Sequence, residues 1–310
     1  MQIGFRRSRP GVVRRVDSVG IAEFAVLVAL GALALCSACT GTPGRSREPG
    51  FVEHSEGRIE HTATGIVLVR VAAGRFTMGS PRGEAERDGD EVLHPVEIAE
   101  PFLLGETEVS EAQWAVVLGD DAPELRGRPD HPVGDVTWHR AQEFVRGLNA
   151  TSPGWRLPSE EEWEYACRAG TATPFSFGDD LDPTEANVDG RFPYRVDGAV
   201  HSSDGPAARA PAGSVTVRSL PANPWGLFEM HGNLWEWVED VYVFDRTGPE
   251  LRVPHAGASR VLRGGGFTRG AAVARCAYRD GYPPQTDGPK YGFRVARSIG
   301  NPGRAAPLGS

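Results

Sequence analysis

Four cysteines and eight histidines are the residues in this chain with the widest reach of metal, redox or nucleophilic chemistry, and their positions restrict that reach at once. Cys36 and Cys39 stand three apart behind an apolar run, whereas Cys167 and Cys276 lie alone in the body of the chain. The histidines show no H-x₃-H or comparable metal-ligand spacing, and the triple glycine at Gly264, Gly265 and Gly266 has no Gly-Lys-Ser after it, so it reads as a tight turn rather than a phosphate loop. His231 stands in a Gly-containing, carboxylate-flanked stretch and reads as structural.

The leader explains the first cysteine pair. Arg6, Arg7, Arg9, Arg14 and Arg15 precede the eleven apolar residues from Ala25 to Leu35, too few to span a bilayer and right for a secretory hydrophobic region. Cys36-Ser37-Ala38-Cys39 then resembles a lipobox, with Cys39 the expected lipid anchor and Cys36 standing where leucine is usual. A plain signal peptide and an uncleaved anchor are the alternatives. The expectation is therefore an exported, membrane-anchored lipoprotein, periplasmic or at the cell surface, in which two body cysteines invite one disulfide. Beyond residue 38 the chain holds 28 basic and 39 acidic residues, a net of −11, which argues against nucleic acid as a partner.

The remaining length and composition suit one large domain, and 39 Gly with 25 Pro predict many turns around short elements. Residues 40–60 read as a polar tether, with structure beginning near His61. Strands are expected at Ile66 to Val71, around Phe76, from His94 to Phe102, at Trp235 to Val243, at Arg260 to Leu262, and as a closing strand at Gly292 to Ala296. Ser110 with Gln113, and Ser159 with Glu162, are capping boxes that start helices running to about Gly119 and Gly170. Between them a helix from Thr137 ends before Pro153 and presents Trp138, Ala141, Phe144, Val145 and Leu148 on one face. The domain spans residues 61–298, and residues 299–310 form a tail.

Within this frame several blocks occur in a fixed order: Phe76-Thr77-Met78-Gly79-Ser80; Glu108-Val109-Ser110 with Gln113-Trp114; Arg156-Leu157-Pro158-Ser159-Glu160-Glu161-Glu162-Trp163-Glu164-Tyr165-Ala166; Asn223-Pro224-Trp225-Gly226-Leu227; His231-Gly232-Asn233-Leu234-Trp235-Glu236-Trp237; Arg263-Gly264-Gly265-Gly266; and Gly292-Phe293-Arg294-Val295-Ala296. Together they resemble the formylglycine-generating, sulfatase-modifying factor family over about residues 66–297. The resemblance implies an α+β, irregular and loop-rich C-type-lectin-like fold, a structural calcium cofactor and a Cys167–Cys276 disulfide. A free redox thiol at Cys276 is the rival reading of that position. In the second calcium loop of the family the matching residues are the side chains of Glu229 and Glu236 and the backbone oxygens of Gly232 and Leu234, an oxygen-only set that suits a hard cation. Asn187 and Val188 match the start of the first loop, with Asp204 a guess for its carboxylate.

The family's enzyme forms formylglycine on a sulfatase cysteine with O₂ and a copper(I) ion held by two thiolates, ligands whose softness suits that ion. In this sequence Arg269 stands at the first thiolate position, no cysteine stands at the second, Gly266 replaces a serine, and the segment is shorter, so no copper site is expected. Trp235, matching an aromatic residue of the active-site floor, is kept. A guanidinium cannot ligate copper but holds carboxylates or phosphates through paired N–H donors. The pocket candidates are thus Trp235, Gly266 and Arg269, with Arg269 read either as an anion ligand or as a solvated residue. The resemblance points to a binding or accessory maturation module, a pseudoenzyme for a peptide, glycan or small anionic ligand. The alternative is an oxidoreductase of the same family, generating formylglycine or using a different metal.

Overall fold

The computed structural model describes residues 48–299 apart from 183, 193, 197–198, 202–211 and 245–256. In chain order these residues form β1 (Phe51–Glu53), β2 (Arg58–His61), β3 (Ile66–Val71), β4 (Gly74–Met78), β5 (His94–Ile98), β6 (Phe102–Gly105), α1 (Glu111–Leu118), α2 (Trp138–Thr151), β7 (Trp155–Arg156) and α3 (Glu160–Arg168). There follow β8 (Tyr194–Val196), β9 (Ala199–His201), β10 (Trp235–Val241), β11 (Arg260–Arg263), β12 (Asp280–Tyr282), β13 (Tyr291–Gly292) and β14 (Ala296–Ser298). The fold is α+β and loop-rich.

A six-stranded sheet runs β1-β2-β3-β6-β14-β7 and a four-stranded sheet runs β12-β11-β10-β13, while β4-β5 and β8-β9 are separate ribbons. Strand β3 buries Ile66, Leu68, Val69 and Val71, more than strict alternation allows, because apolar clusters pack on both of its faces. Both predicted capping boxes are formed, Ser110 with Gln113 and Ser159 with Glu162. The α2 face buries Ala141, Phe144, Val145 and Leu148, and Phe144 stacks on Trp114 of α1 at 5.3 Å while meeting Phe293 edge-on at 5.5 Å.

Three sequence expectations need correction or fall outside the described chain. Residues 40–60 are not all tether: β1 pairs with β2, Phe51 opposite His61, and Phe51 and Ile59 are buried against the core. One inward apolar residue per short strand gives too weak a period to stand out from a polar linker. The closing strand at 292–296 is in fact two strands, β13 and β14, in different sheets; Phe293 to Val295 carry the chain from one to the other, with Val109 N–H donating to Phe293 O and Gly105 N–H to Val295 O. Asp204, the leader and Cys39 lie outside the described residues.

Helix α3 is where the two sheets are tied to the loops beyond. Its Trp163, Ala166 and Cys167 face inward as expected, but Glu160, Glu164 and Arg168 are buried too. They are buried because partners wait for them: Arg263 at the end of β11 donates to Glu164 at 2.6 Å, and Arg279 donates to Glu160 at 2.7 Å. Arg275 meets Glu91 and Glu84 at 2.6 to 2.8 Å. Cys167 and Cys276 form a disulfide, Cα–Cα 5.7 Å, across 109 positions of sequence. These fixed points hold the segment between Arg263 and Arg279, which carries Gly266 and Arg269.

Candidate functional site

Trp235 opens β10 and is pinned on two sides. Its N–H donates to the Lys290 carbonyl at 2.8 Å, which starts the parallel pairing of β10 with β13. On the other side lies Gly266, where an added Cβ would sit 2.9 Å from Trp235 Cδ1, so only glycine lets the turn close against the indole. Gly265 before it has φ +69° and no room for a side chain against the Val273 carbonyl. Arg269 then turns outward: its N–H donates to Gly266 O at 2.9 Å, its carbonyl accepts from Asp189 N, and its exposed side chain makes no ion pair among the described residues.

The sequence-predicted trio is therefore brought together, and the structure adds residues around it. Tyr278 lies 5.9 Å from Trp235, and Tyr291 lies 5.7 Å from Tyr282 and 5.9 Å from Trp237, ring centroid to centroid. The Lys290 ammonium sits 5.0 Å from the Tyr291 ring centroid. Burial, and then the positive charge of Arg269, lower the Lys290 pKa, while Asp280 acts in the opposite sense. Burial raises the Asp280 pKa. Trp235 thus stands among aromatic side chains, with Lys290 and Asp280 on neighbouring segments and the charges of Asp90, Arg269 and Asp88 all acting on Asp280. Nothing in linear spacing marks Lys290 or Asp280: Lys290 immediately precedes β13 and Asp280 opens β12, and sheet pairing brings both strands toward β10 and β11. The available signal was the aromatic run of Tyr278, Tyr282 and Tyr291 beside two of the ordered blocks.

The 229–236 loop carries a second arrangement of charge. Glu229, Gly232 and Asn233 all have positive φ, between 50° and 82°, and this tight path turns the 229–236 loop back on itself. Gly232 has no space for a Cβ, which would be 2.5 Å from Asn187 O. Asn187 O accepts from Asn233 N, and Val188 Cγ1 lies beside Gly232, so the residues assigned to two calcium loops touch one another. The Glu229 carboxylate accepts from the backbone N–H groups of Arg218 and Leu220, and the Glu236 carboxylate from Trp163 Nε1 at 2.9 Å and from Arg294 at 2.7 Å on both oxygens. Glu108, which no motif spacing connects to this loop, accepts from Asn233 Nδ2 and Leu234 N.

Glu108, Glu229 and Glu236 are three buried carboxylates served by one buried guanidinium, Arg294. Burial first, then the charges of Glu229 and Glu236, push the Glu108 pKa well above the usual carboxylate range, and burial raises Glu229 as well. With all three carboxylates ionised Arg294 would leave a formal excess of two negatives, and without a bound cation the raised pKa values of Glu108 and Glu229 lessen that excess. The oxygen donors here are of the type a hard cation takes, and the candidate groups are Glu229, Glu236 and the carbonyls of Gly232 and Leu234, with both Glu236 oxygens already taken by Arg294 and Trp163. Asp204 adds nothing that can be placed.

Cys167, His231 and Cys276 form one further buried group, with ligand-type atoms within 4.8 Å of one another. The sulfurs are bonded together. His231 donates through Nδ1 to Ala274 O at 2.8 Å and accepts at Nε2 from Ser176 N, so both ring nitrogens are engaged, and burial lowers its pKa to about 4. The histidine is a structural brace, as its sequence context suggested.

Comparison with known proteins agrees with the geometry. The model of the sulfatase-modifying factor enzyme 1-like domain matches residues 57–299. The chain is 32% identical over 291 residues to the formylglycine-generating enzyme of Streptomyces coelicolor, covering 74% of this chain and 88% of that one. It is 35% identical to the bovine formylglycine-generating enzyme over 61% of this chain and 49% of the relative. Among solved structures, PvdO from Pseudomonas aeruginosa superposes with a TM-score of 0.66 at 25% identity, covering 80% of this chain and all of that one. CarF shares the fold at a TM-score of 0.53 and 20% identity, over 76% of this chain and 99% of CarF. With ordered motifs, architecture and family match in agreement, the chain belongs to the sulfatase-modifying factor enzyme 1-like, or formylglycine-generating enzyme, family.

Proposed function

We propose that this protein is an exported binding or accessory maturation module of its family, in which a cationic aromatic cleft stands in place of the copper–thiolate centre. The observation that carries the reading is the fate of the cysteines. The two in the folded domain are bonded to each other, and the 266–275 segment offers Arg269 and no thiol. A soft copper(I) ion has no thiolate to bind there, whereas Arg269 offers N–H donors to an anion. The ligand class is a peptide, a glycan or a small molecule with an anionic group. The acidic chain disfavours nucleic acid.

Calcium is the proposed structural cofactor, held by the Glu229 to Glu236 loop. It would neutralise buried carboxylates that Arg294 alone leaves in excess. The proposed location is outside the cytoplasm, with a lipid on Cys39 tethering the domain to the membrane. Replacing Cys39 by alanine should release the protein into the soluble fraction, and retention of the lipidated mass would contradict the anchor assignment.

A second reading, oxidase chemistry on a sulfatase cysteine, is favoured by the names of the Streptomyces and bovine relatives. One experiment separates the two. Purified protein is incubated with copper(I), O₂ and a peptide carrying Cys-x-Pro-x-Arg, and the product is weighed. Unchanged peptide is expected, and aldehyde formation would replace the binding role by the enzymatic one.

A further inference from the structure

We infer that residues 212–220 form a strap latched by the 229–236 loop: a divalent cation held by Glu229 keeps the strap closed against the loop, and loss of the cation releases it. The inference rests on the reading of that loop as a cation site. The segment contains no helix or strand, and every one of its residues is partly or fully open to solvent, Val215, Val217 and Leu220 included. Apolar burial does little to hold it down, so its place in the fold depends on polar bonds. Most of those bonds run to the loop and its neighbour Asn187. Val215 N–H donates to Asn233 Oδ1 at 2.8 Å, Arg218 N–H to Glu229 Oε2 at 3.1 Å and Leu220 N–H to Glu229 Oε1 at 3.3 Å, while Gly213 O accepts from Asn187 Nδ2 at 3.0 Å. Elsewhere Val217 N–H donates to Asp130 O at 2.9 Å, Ser214 meets His131 at 3.4 Å, and the Arg218 guanidinium meets Glu106 at 3.2 Å and lies 5.5 Å from the Phe228 ring centroid.

The three carboxylates gathered at the loop are not held alike. Glu236 is gripped by Arg294 on both oxygens and by Trp163, and Glu108 accepts from Asn233 and Leu234 within the loop. The Glu229 carboxylate has its hydrogen bonds on the strap backbone, and Arg294 donates to the Glu229 backbone oxygen instead. Glu229, Asn233 and Arg218 also share the left-handed region, with φ of 50°, 61° and 63°, a conformation that persists in non-glycine residues where neighbouring contacts over-determine it. Two of these residues carry acceptors of the latch and the third carries one of its donors. A cation on Glu229 offsets the repulsion among the carboxylates and fixes that side chain, and a carboxylate has enough lone pairs to ligate a cation and accept two N–H bonds at once. Without the cation Glu229 is the member of the group that can swing away, and its swing breaks the Arg218 and Leu220 bonds together. Asn233 extends the effect, since its carbonyl accepts Phe267 N–H at 2.9 Å in the turn that sets Gly266 against Trp235.

Hydrogen exchange of the full chain, read by mass spectrometry with calcium alone as the probe and a chelator as the comparison, tests the latch. Calcium should slow exchange in peptides covering residues 212–220 by about tenfold or more and leave α2 unchanged. Glu229→Gln keeps an acceptor for the strap but loses the charge, so its strap should exchange at the chelated wild-type rate in both conditions. Arg218→Ala deletes the side-chain contacts to Glu106 and Phe228 and should keep the calcium response. Calcium bound by titration, with strap exchange unchanged, would overturn the latch and leave the cation loop standing. Absence of calcium binding would remove the loop reading and the inference with it. Equal acceleration of the strap and α2 by the chelator would overturn the latch in favour of global unfolding. A response lost in Arg218→Ala and kept in Glu229→Gln would overturn the role of Glu229 and assign the hold to the arginine. The wild-type comparison decides by itself if either variant fails to fold.

Discussion

The buried charge cluster around Arg294 makes a prediction that depends on which member is removed. Arg294 is fully buried and its guanidinium is surrounded by oxygen: both oxygens of Glu236 at 2.7 Å, Gly105 O at 3.1 Å and Phe228 O at 3.0 Å, with Glu106 O and Glu229 O slightly beyond. Arg294→Met keeps much of the volume and deletes the cation. It leaves Glu236 with Trp163 as its side-chain donor, beside Glu108 and Glu229, and breaking such a pair costs about 3–5 kcal/mol. Glu236→Gln should cost clearly less, about 1–2 kcal/mol, because Arg294 would still have the fields of Glu108 and Glu229 to offset its charge. The asymmetry follows because the cluster holds more carboxylates than its one guanidinium can offset, and the raised pKa values of Glu108 and Glu229 reflect their burial and mutual repulsion. The assay is urea unfolding of the wild type, both single variants and the double variant, with the coupling energy taken from the cycle. A cost for Glu236→Gln equal to or above that for Arg294→Met would refute the idea of excess negative charge. It would also remove the main physical argument for a calcium ion there.

Four shorter predictions follow from other parts of the molecule. Replacing both Cys167 and Cys276 by alanine removes a bond across 109 positions, and the chain-entropy model puts the loss at about 4.8 kcal/mol; a double variant within about 1 kcal/mol of wild type in urea unfolding would refute it. The folded pKa of His231, about 4, lies below the ordinary histidine value, so its contribution is complete above about pH 6.5 and is lost as pH falls through 4. The shift corresponds to about 3 kcal/mol, and unfolding measured across that range should show a shallower acid slope for His231→Gln; parallel curves would dismiss the histidine as the cause. Removing calcium with a chelator should lower the thermal midpoint, by roughly 5–10 °C if the ion is present at about a hundred times its dissociation constant, whereas an unshifted midpoint together with calcium-free protein by metal analysis would reject the cofactor. Gly266→Ser should push on the Trp235 indole, cost about 1–3 kcal/mol and change tryptophan emission; an unaltered spectrum and midpoint would mean the turn has slack that the 2.9 Å approach denies.

The sequence by itself determined the local pieces whose physics is local. Ser110 and Ser159 fix helix starts because a capping box closes within four residues, and the face of α2 follows from a 3.6-residue period. It also shows that residues 266–275 carry no cysteine, and it singled out Trp235, Gly266 and Arg269 as neighbours through the order of the motifs. Only the tertiary structure decided the rest. The β1–β2 hairpin is specified by what Phe51 and Ile59 pack against and not by its own pattern. The break at Phe293 to Val295 exists because two sheets claim the two ends of one apolar stretch. Lys290, just ahead of β13, and Asp280, at the start of β12, are brought toward β10 and β11 by strand pairing, and Glu108 comes to Glu229 and Glu236 from well over a hundred positions away in sequence. Charge balance is a property of a volume, and a volume is assembled from residues that sequence spacing does not relate.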